Sequence, residues 1–137
     1  MERNILIAVY GTLRKGFGNH RLINKADYKG TFKTEPIYNL HSLGGFPGLK
    51  KDGNTSVVME VYAVNKEEAY NVDCLEGYSA NVKPTFYDKE FIDTPWGKAG
   101  VYIYVNDPSK ESLIESGDFY LDRKGKESEE HLNVVTN

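Results

Sequence analysis

Apolar positions group into short runs along this chain, and most runs have the length of β-strands. Residues 5–10 carry no charge and do not alternate with polar residues, which is typical of a central strand buried on both faces. Residues 57–64 form the second strong strand. Shorter strands are predicted at residues 28–33, 37–43, 86–93 and 99–105. The pattern therefore predicts a fold rich in β-sheet.

One helix is predicted between these strands, at residues 66–76. Asn65 is a typical N-cap, and the acidic residues after it lie near the positive end of the helix dipole. Gly77 is placed to end the helix. Residues 19–25 predict one or two further helical turns, with Asn19 as the N-cap.

Glycine and proline mark the connections between strands. Residues 44–48 predict an irregular loop, residues 52–54 a tight turn and residues 94–98 a hairpin. Mostly antiparallel strands with one central helix predict an α+β fold. The same strands allow a small mixed β-barrel closed around its own core.

Length and composition indicate the domain organisation and the cellular environment. The 137 residues suit one domain, predicted at 1–121, followed by a polar segment at 122–137 that is a loose tail or a docked arm. A net charge of −3 argues against a nucleic-acid surface, which would be basic. The apolar start of the chain is too short for a membrane span. Cys74 is the only cysteine, which excludes an intrachain disulfide and favours the reducing cytoplasm.

The sequence lacks the residue patterns of most common catalytic mechanisms. The three histidines, at positions 20, 41 and 131, are widely spaced and Cys74 has no partner, so no metal site is predicted. Cys74 also lies near the acidic end of the predicted helix, which disfavours a reactive thiolate. The glycines of residues 11–18 do not have the spacing of a dinucleotide-binding motif. No Gly-x-Ser-x-Gly motif of serine hydrolases is present.

The end of the first strand is the first candidate for a binding site. A strand that ends in a glycine turn, here Gly11-Thr12, leaves backbone N–H groups unpaired at its tip. Such groups can bind an anion or a developing oxyanion. The reactive side chain would then come from elsewhere in the chain.

Glu76 is the candidate acid/base. It lies at the negative end of the predicted helix dipole, and Asp73, one turn earlier, adds a like charge. Both effects would raise the pKa of Glu76, and burial would raise it further. A carboxylate tuned in this way suits a general base near neutral pH. The alternative is a solvated glutamate at a frayed helix end.

Four short motifs occur in an order that resembles a known family. They are Tyr10-Gly11-Thr12-Leu13-Arg14 with Gly16 and Asn19-His20; Gly45-Phe46-Pro47-Gly48-Leu49; Val72-Asp73-Cys74-Leu75-Glu76-Gly77-Tyr78 after the strand at 57–64; and Ala99-Gly100-Val101-Tyr102. Together they resemble the γ-glutamylcyclotransferase-like superfamily, including the γ-glutamylamine cyclotransferases and the plant avirulence-induced-protein-like branch. Two positions depart from it: Val72 replaces the common Leu, and Tyr87-Asp88-Lys89 replaces a Tyr-x-Arg strand start.

The resemblance implies a small barrel flanked by helices, with a cavity at the end of the first strand and no cofactor. Such enzymes cyclise a γ-glutamyl group to 5-oxoproline and release an amine or amino acid, which is acyltransferase or lyase chemistry. The expected substrate is a γ-glutamyl-amine or γ-glutamyl-peptide, with a γ-glutamyl group on a larger molecule as a second possibility. The alternative is a non-catalytic member that binds a small ligand or a partner protein in the same cavity.

The resemblance also assigns roles to individual residues. Glu76 falls on the catalytic glutamate. Arg14 attracts an anionic substrate, braces its loop or covers the barrel with its stem. Tyr102 either adds a phenolic hydrogen bond in the pocket or only packs. The expected substrate-binding residues are Tyr10, Gly11, Thr12, Leu13 and Tyr102.

Overall fold

The computed structural model describes residues 2–129 and, for its backbone only, the strand at residues 134–136. The strands in this part of the chain are β1 (Ile5–Val9), β2 (Asp27–Lys33), β3 (Tyr38–Ser42), β4 (Pro47–Lys51), β5 (Val58–Val64), β6 (Tyr87–Thr94), β7 (Gly97–Tyr104) and β8 (Val134–Thr136). The helices are α1 (Lys66–Glu76) and α2 (Phe119–Lys124), with 3₁₀ turns at Gly18–Leu22 and Lys110–Ser112. Neither α-helix among these residues has the length and apolar composition needed to cross a bilayer.

Strand β1 lies inside the main sheet, whose strand order is β6-β7-β1-β5-β2-β8. It pairs antiparallel with β5, from Ile5 opposite Val64 to Val9 opposite Glu60, and parallel with β7. Because both of its edges are paired and both of its faces are covered, an apolar run without alternation is stable there. The predicted central strand is confirmed.

Each face of the sheet buries a separate core. Ala8 and Tyr10 belong to one core, together with residues of β3 and β4. Ile7 and Val9 belong to the second, which includes Val72 of α1. Side chains alternate between the two faces along a strand, so β1 contributes to both cores.

The α+β class is confirmed, but a closed barrel is not shown. Strands β6 and β8 are the two edges of the main sheet, and they do not pair with each other in the described residues. Strands β3 and β4 form a separate two-stranded ladder. This ladder packs on β7, where Lys50 Nζ donates to the Tyr104 carbonyl at 2.9 Å, so it covers the sheet without extending it.

The loop predicted at residues 44–48 is shorter than expected. Pro47 and Gly48 are the first residues of β4, and the turn before them is closed by Leu43 N–H donating to the Phe46 carbonyl at 2.8 Å. Proline is tolerated at the first position of a strand, which is why the sequence signal was misleading here.

Helix α1 has the two ends that the sequence predicts. The Asn65 side chain accepts from the Glu68 N–H at 2.8 Å, and the Glu68 carboxylate accepts from the Asn65 N–H at 2.9 Å. Gly77 then adopts the left-handed conformation, with φ of 70°, and its N–H donates to the last turn. These caps fix where α1 stops, and therefore where Glu76 lies.

Two details of the helical prediction are wrong. Asn19 is not an N-cap, since the 3₁₀ turn Gly18–Leu22 is preceded by Phe17. Helix α2 is not predicted by the sequence pattern, although Asp118 caps it by accepting from the Leu121 N–H and Gly125 ends it with φ of 71°. Helix α2 runs across the predicted division between residues 121 and 122, and residues 130–133 and 137 of the predicted tail lie outside the described part.

Candidate active site

A cavity of about 380 Å³ opens at the carboxyl end of β1. It is lined by Ala8, Val9, Tyr10, Gly11, Thr12, Leu13, Asn19, Gly45, Phe46, Pro47, Leu75, Glu76, Gly77, Phe86, Tyr87 and Tyr102. All six residues that the sequence singles out for the site are in this set. The fold thus brings the turn after β1, the end of α1 and strand β7 to one cavity.

Glu76 provides the carboxylate of the cavity. Capping at Gly77 makes Glu76 the last residue of α1, and its side chain is partly buried against the cavity wall. Burial raises the pKa of Glu76 from 4.5 to about 7. A group with this pKa is present both as acid and as base near neutral pH.

The expected effect of Asp73 on Glu76 is not found. Asp73 accepts from Lys89 Nζ at 3.0 Å and also from the Tyr102 hydroxyl. Its charge therefore faces a cation, and burial is the cause of the raised pKa of Glu76. Lys89 also lies over the Tyr78 and Tyr102 rings, with Nζ 5.8 and 5.6 Å from the ring centres.

The turn after β1 lines the cavity and contains backbone N–H groups without an acceptor in the described part of the chain. Two of its acceptors are engaged within the protein: the Arg14 backbone N–H donates to the Gly11 carbonyl at 3.0 Å and Asn19 Nδ2 to Thr12 Oγ1 at 2.9 Å. His20 Nδ1 lies 2.9 Å from the Leu13 carbonyl. The N–H groups of residues 11–13 donate to no acceptor among the described residues. These donors are suited to an anionic group of a ligand.

Two tyrosines hold the cavity walls together. The Tyr10 hydroxyl donates to the Tyr102 carbonyl at 2.7 Å and accepts from the Leu49 N–H at 3.2 Å. The Tyr87 hydroxyl donates to the Pro47 carbonyl at 2.6 Å. Burial raises the pKa of both phenols, so neither acts as a base near neutral pH. The predicted site does not include Tyr87, although Tyr87-Asp88-Lys89 is one of the two places where the sequence departs from the motifs of the family.

Tyr102 both lines the cavity and makes a phenolic hydrogen bond. Its ring lines the cavity, and its hydroxyl donates to Asp73. Burial, followed by the hydrogen bond to Asp73, raises the pKa of Tyr102. The hydroxyl proton of Tyr102 is therefore used in the hydrogen bond to Asp73, in the last turn of α1, and the Tyr102 ring forms part of the cavity wall.

Gly11 is required for a reason that the sequence does not reveal. A Cβ atom at this position would lie 2.6 Å from Pro47 Cγ. The absence of a side chain therefore lets the turn after β1 pack directly against the start of β4.

The charges of the cavity are few. Among its lining residues Glu76 is the only acidic group, and no lysine, arginine or histidine of the described chain belongs to the set. Within residues 2–129 and 134–136, no group of three or more His, Cys, Asp or Glu residues is placed to hold a metal ion. His131 lies outside the described residues.

The fold thus places one partly buried carboxylate in a cavity on an α+β sheet. The family model described as "Gamma-glutamyl cyclotransferase, AIG2-like" matches residues 7–121 of the chain. The chain belongs to this family. The resemblance seen in its motifs is confirmed.

Curated relatives and solved structures agree with this assignment. A relative from Vibrio cholerae is 41% identical over 114 residues, which cover 83% of this chain and 94% of that protein. The gamma-glutamylcyclotransferase family protein YtfP of Escherichia coli is 37% identical over 117 residues, which cover 85% of this chain and 96% of YtfP. The crystal structure of an uncharacterized protein from Pyrococcus horikoshii matches with a TM-score of 0.75 and 32% identity, over 89% of this chain and 95% of that one.

Proposed function

We propose that the protein is a cyclotransferase that converts the γ-glutamyl group of a γ-glutamyl-amine or γ-glutamyl-peptide to 5-oxoproline and releases the amine. Glu76 is the general acid/base of the reaction. The observation that carries the proposal is the position of this carboxylate, partly buried in the cavity at the end of β1, with a pKa of about 7. Membership of the gamma-glutamyl cyclotransferase family supports it.

The reaction needs a group that first accepts and then returns a proton. The α-amine of the substrate attacks its own γ-carbonyl carbon, a new C–N bond closes the five-membered ring, and the bond to the leaving amine breaks. Glu76 as carboxylate accepts the proton of the attacking amine and then donates it to the departing nitrogen. The attack is intramolecular, so no protein nucleophile is required.

The turn after β1 supplies the binding half of the proposed site. The substrate carries an α-carboxylate, and the carbonyl oxygen becomes negative as the ring closes. The free N–H groups of residues 11–13 are donors of the kind that stabilise either charge. The Thr12 hydroxyl, which accepts from Asn19, retains its own proton for a ligand.

The lining of the cavity favours an amine as the leaving group. Phe46, Leu75 and Phe86 form apolar parts of the wall, and the described lining residues include no cation. A leaving amino acid would bring a second carboxylate that this wall does not pair, and an unpaired charge is costly to bury. A neutral, apolar amine avoids that cost.

The proposal is tested by incubating the protein with a γ-glutamyl-alkylamide, a γ-glutamyl-amino acid and a γ-glutamyl-peptide. 5-Oxoproline is then quantified by mass spectrometry. We expect the alkylamide to give the most product. The matched control is the same alkylamide with its α-amine acetylated, which cannot cyclise and should give none. Thermal stabilisation by these compounds without product from any of them would contradict the proposal and indicate a non-catalytic binding protein.

A further inference from the structure

Arg14 is a fully buried arginine directly behind the turn that lines the cavity. Its exposed fraction is 0%. Its Nε donates to Glu60 Oε2 at 2.8 Å, and its Nη1 donates to Asp118 Oδ1 at 2.8 Å. A third donor, Nη2, lies 3.4 Å from Ser128 Oγ. Arg14 does not line the cavity, so it does not contact a ligand there.

Glu60 extends this contact to the neighbouring backbone. Its second oxygen, Oε1, accepts from the Lys15 N–H at 3.0 Å and from the Tyr62 hydroxyl at 2.7 Å. Asp118 in turn caps α2. Arg14 and Lys15 are therefore tied to β5 and to the start of α2, while the Arg14 N–H closes the turn onto the Gly11 carbonyl.

Stability alone does not explain such an arrangement. Ion pairs buried this completely lose much of their Coulombic gain to desolvation, and apolar residues of similar size often serve stability as well or better. What the pairing provides is geometry. The planar guanidinium has several N–H donors in fixed directions, so it can hold two carboxylates in a defined geometry. The single ammonium group of lysine does not reproduce this arrangement of donors.

We propose that Arg14 is a positioning residue for substrate binding. Held between Glu60 and Asp118, it fixes the turn of residues 11–15 so that the N–H groups of residues 11–13 stay directed to the anionic part of the substrate. The proposal rests on the cyclotransferase function proposed above. It also makes α2, whose first half lies at the C-terminal end of the family match, part of the support of the site.

The test compares three variants in the 5-oxoproline assay with a γ-glutamyl-alkylamide. Arg14→Lys keeps the positive charge but loses the planar set of guanidinium donors. Asp118→Asn removes one carboxylate, while asparagine can still cap α2. Arg3→Lys is the matched control, because Arg3 makes a similar two-oxygen pair with Glu68 away from the cavity. All assays are run well below the melting temperature of each variant, so that the folded fraction is equal.

We expect Arg14→Lys and Asp118→Asn to raise KM and to lower kcat/KM by about 10- to 100-fold, the effect of misplacing a binding group by about 1 Å. The apparent pKa of Glu76 in the pH–rate profile should stay at about 7, since the burial of Glu76 is untouched. Arg3→Lys should leave both constants unchanged. A lower melting temperature with unchanged kcat and KM in the Arg14 and Asp118 variants would overturn the proposal and leave a purely structural role.

A second readout separates this proposal from the proposed function. Amide NMR spectra of the free proteins report on the turn without any substrate. Arg14→Lys should shift the amide signals of Gly11, Thr12 and Leu13, and Arg3→Lys should not. If the wild-type protein forms no 5-oxoproline, the cyclotransferase function fails, while unchanged amide signals in Arg14→Lys would refute the positioning role by itself.

Discussion

Replacement of Glu76 by glutamine is expected to stabilise the folded protein at neutral and higher pH. Glutamine has nearly the same shape as glutamate and no charge. The raised pKa of Glu76 means that the folded state disfavours its carboxylate form, because burial removes water from that charge. The variant avoids this cost.

The size and the pH range of the effect follow from the two pKa values. Below about pH 4.5 the side chain is neutral in both the folded and the unfolded chain, so the wild type bears no cost there. As pH rises through 4.5 towards 7, the unfolded chain ionises first and wild-type stability falls. Above about pH 7 the loss is complete, and the shift from 4.5 to about 7 corresponds to about 3 kcal/mol.

The assay is chemical denaturation of wild type and Glu76→Gln at several pH values from about 4 to 8. We expect the difference in the free energy of unfolding to grow from near zero to about 3 kcal/mol in favour of the variant. The matched control is Glu67→Gln on the exposed first turn of α1, where losing a charge near the helix N-terminus should destabilise by less than about 1 kcal/mol. A Glu76→Gln difference that is constant with pH would refute the argument that burial sets this pKa.

Three further predictions concern the same cavity. The value of kcat/KM for 5-oxoproline formation should rise with pH through an apparent pKa of about 7, because Glu76 must be ionised to accept a proton; a flat profile across this range would contradict its role as the base. Gly11→Ala should lower the free energy of unfolding by about 1–3 kcal/mol, measured by thermal unfolding, since its Cβ would lie 2.6 Å from Pro47 Cγ. Gly18→Ala is the control and should be nearly neutral, because no atom of the described residues lies within 4 Å of a Cβ there. Equal effects of the two variants would contradict the packing argument. Tyr87→Phe should lower the free energy of unfolding by about 1–2 kcal/mol, because the Pro47 carbonyl loses its buried donor. An unchanged denaturation midpoint would show that this hydrogen bond does not stabilise the fold.

The elements that the sequence predicts well are those with strong local signals. Strand β1 is an uninterrupted apolar run, and α1 has a capping box at Asn65 and a left-handed glycine at its end. Helix α2 has similar signals in Asp118 and Gly125, but it is only six residues long, and its second half lies in the polar segment. A helix this short depends on tertiary packing, which no local pattern reveals.

The parts of the site that the sequence does not predict depend on contacts between distant residues. Lys89 lies 16 positions after Asp73 and neutralises the charge that was expected to act on Glu76. The steric requirement at Gly11 comes from Pro47, 36 positions later along the chain. Motifs therefore identify residues that share one cavity, whereas the cause of the raised pKa of Glu76 and the steric requirement at Gly11 are visible only in the folded chain.

The most direct measurement of the central claim is the rate of 5-oxoproline formation from a γ-glutamyl-alkylamide by wild type, Glu76→Gln and Glu67→Gln. We expect Glu76→Gln to remain folded and to lose about 10²- to 10⁴-fold in kcat, the contribution of a general acid/base, while Glu67→Gln keeps the wild-type rate. A Glu76→Gln protein that forms 5-oxoproline at the wild-type rate would contradict the assignment of Glu76 as the acid/base of this site.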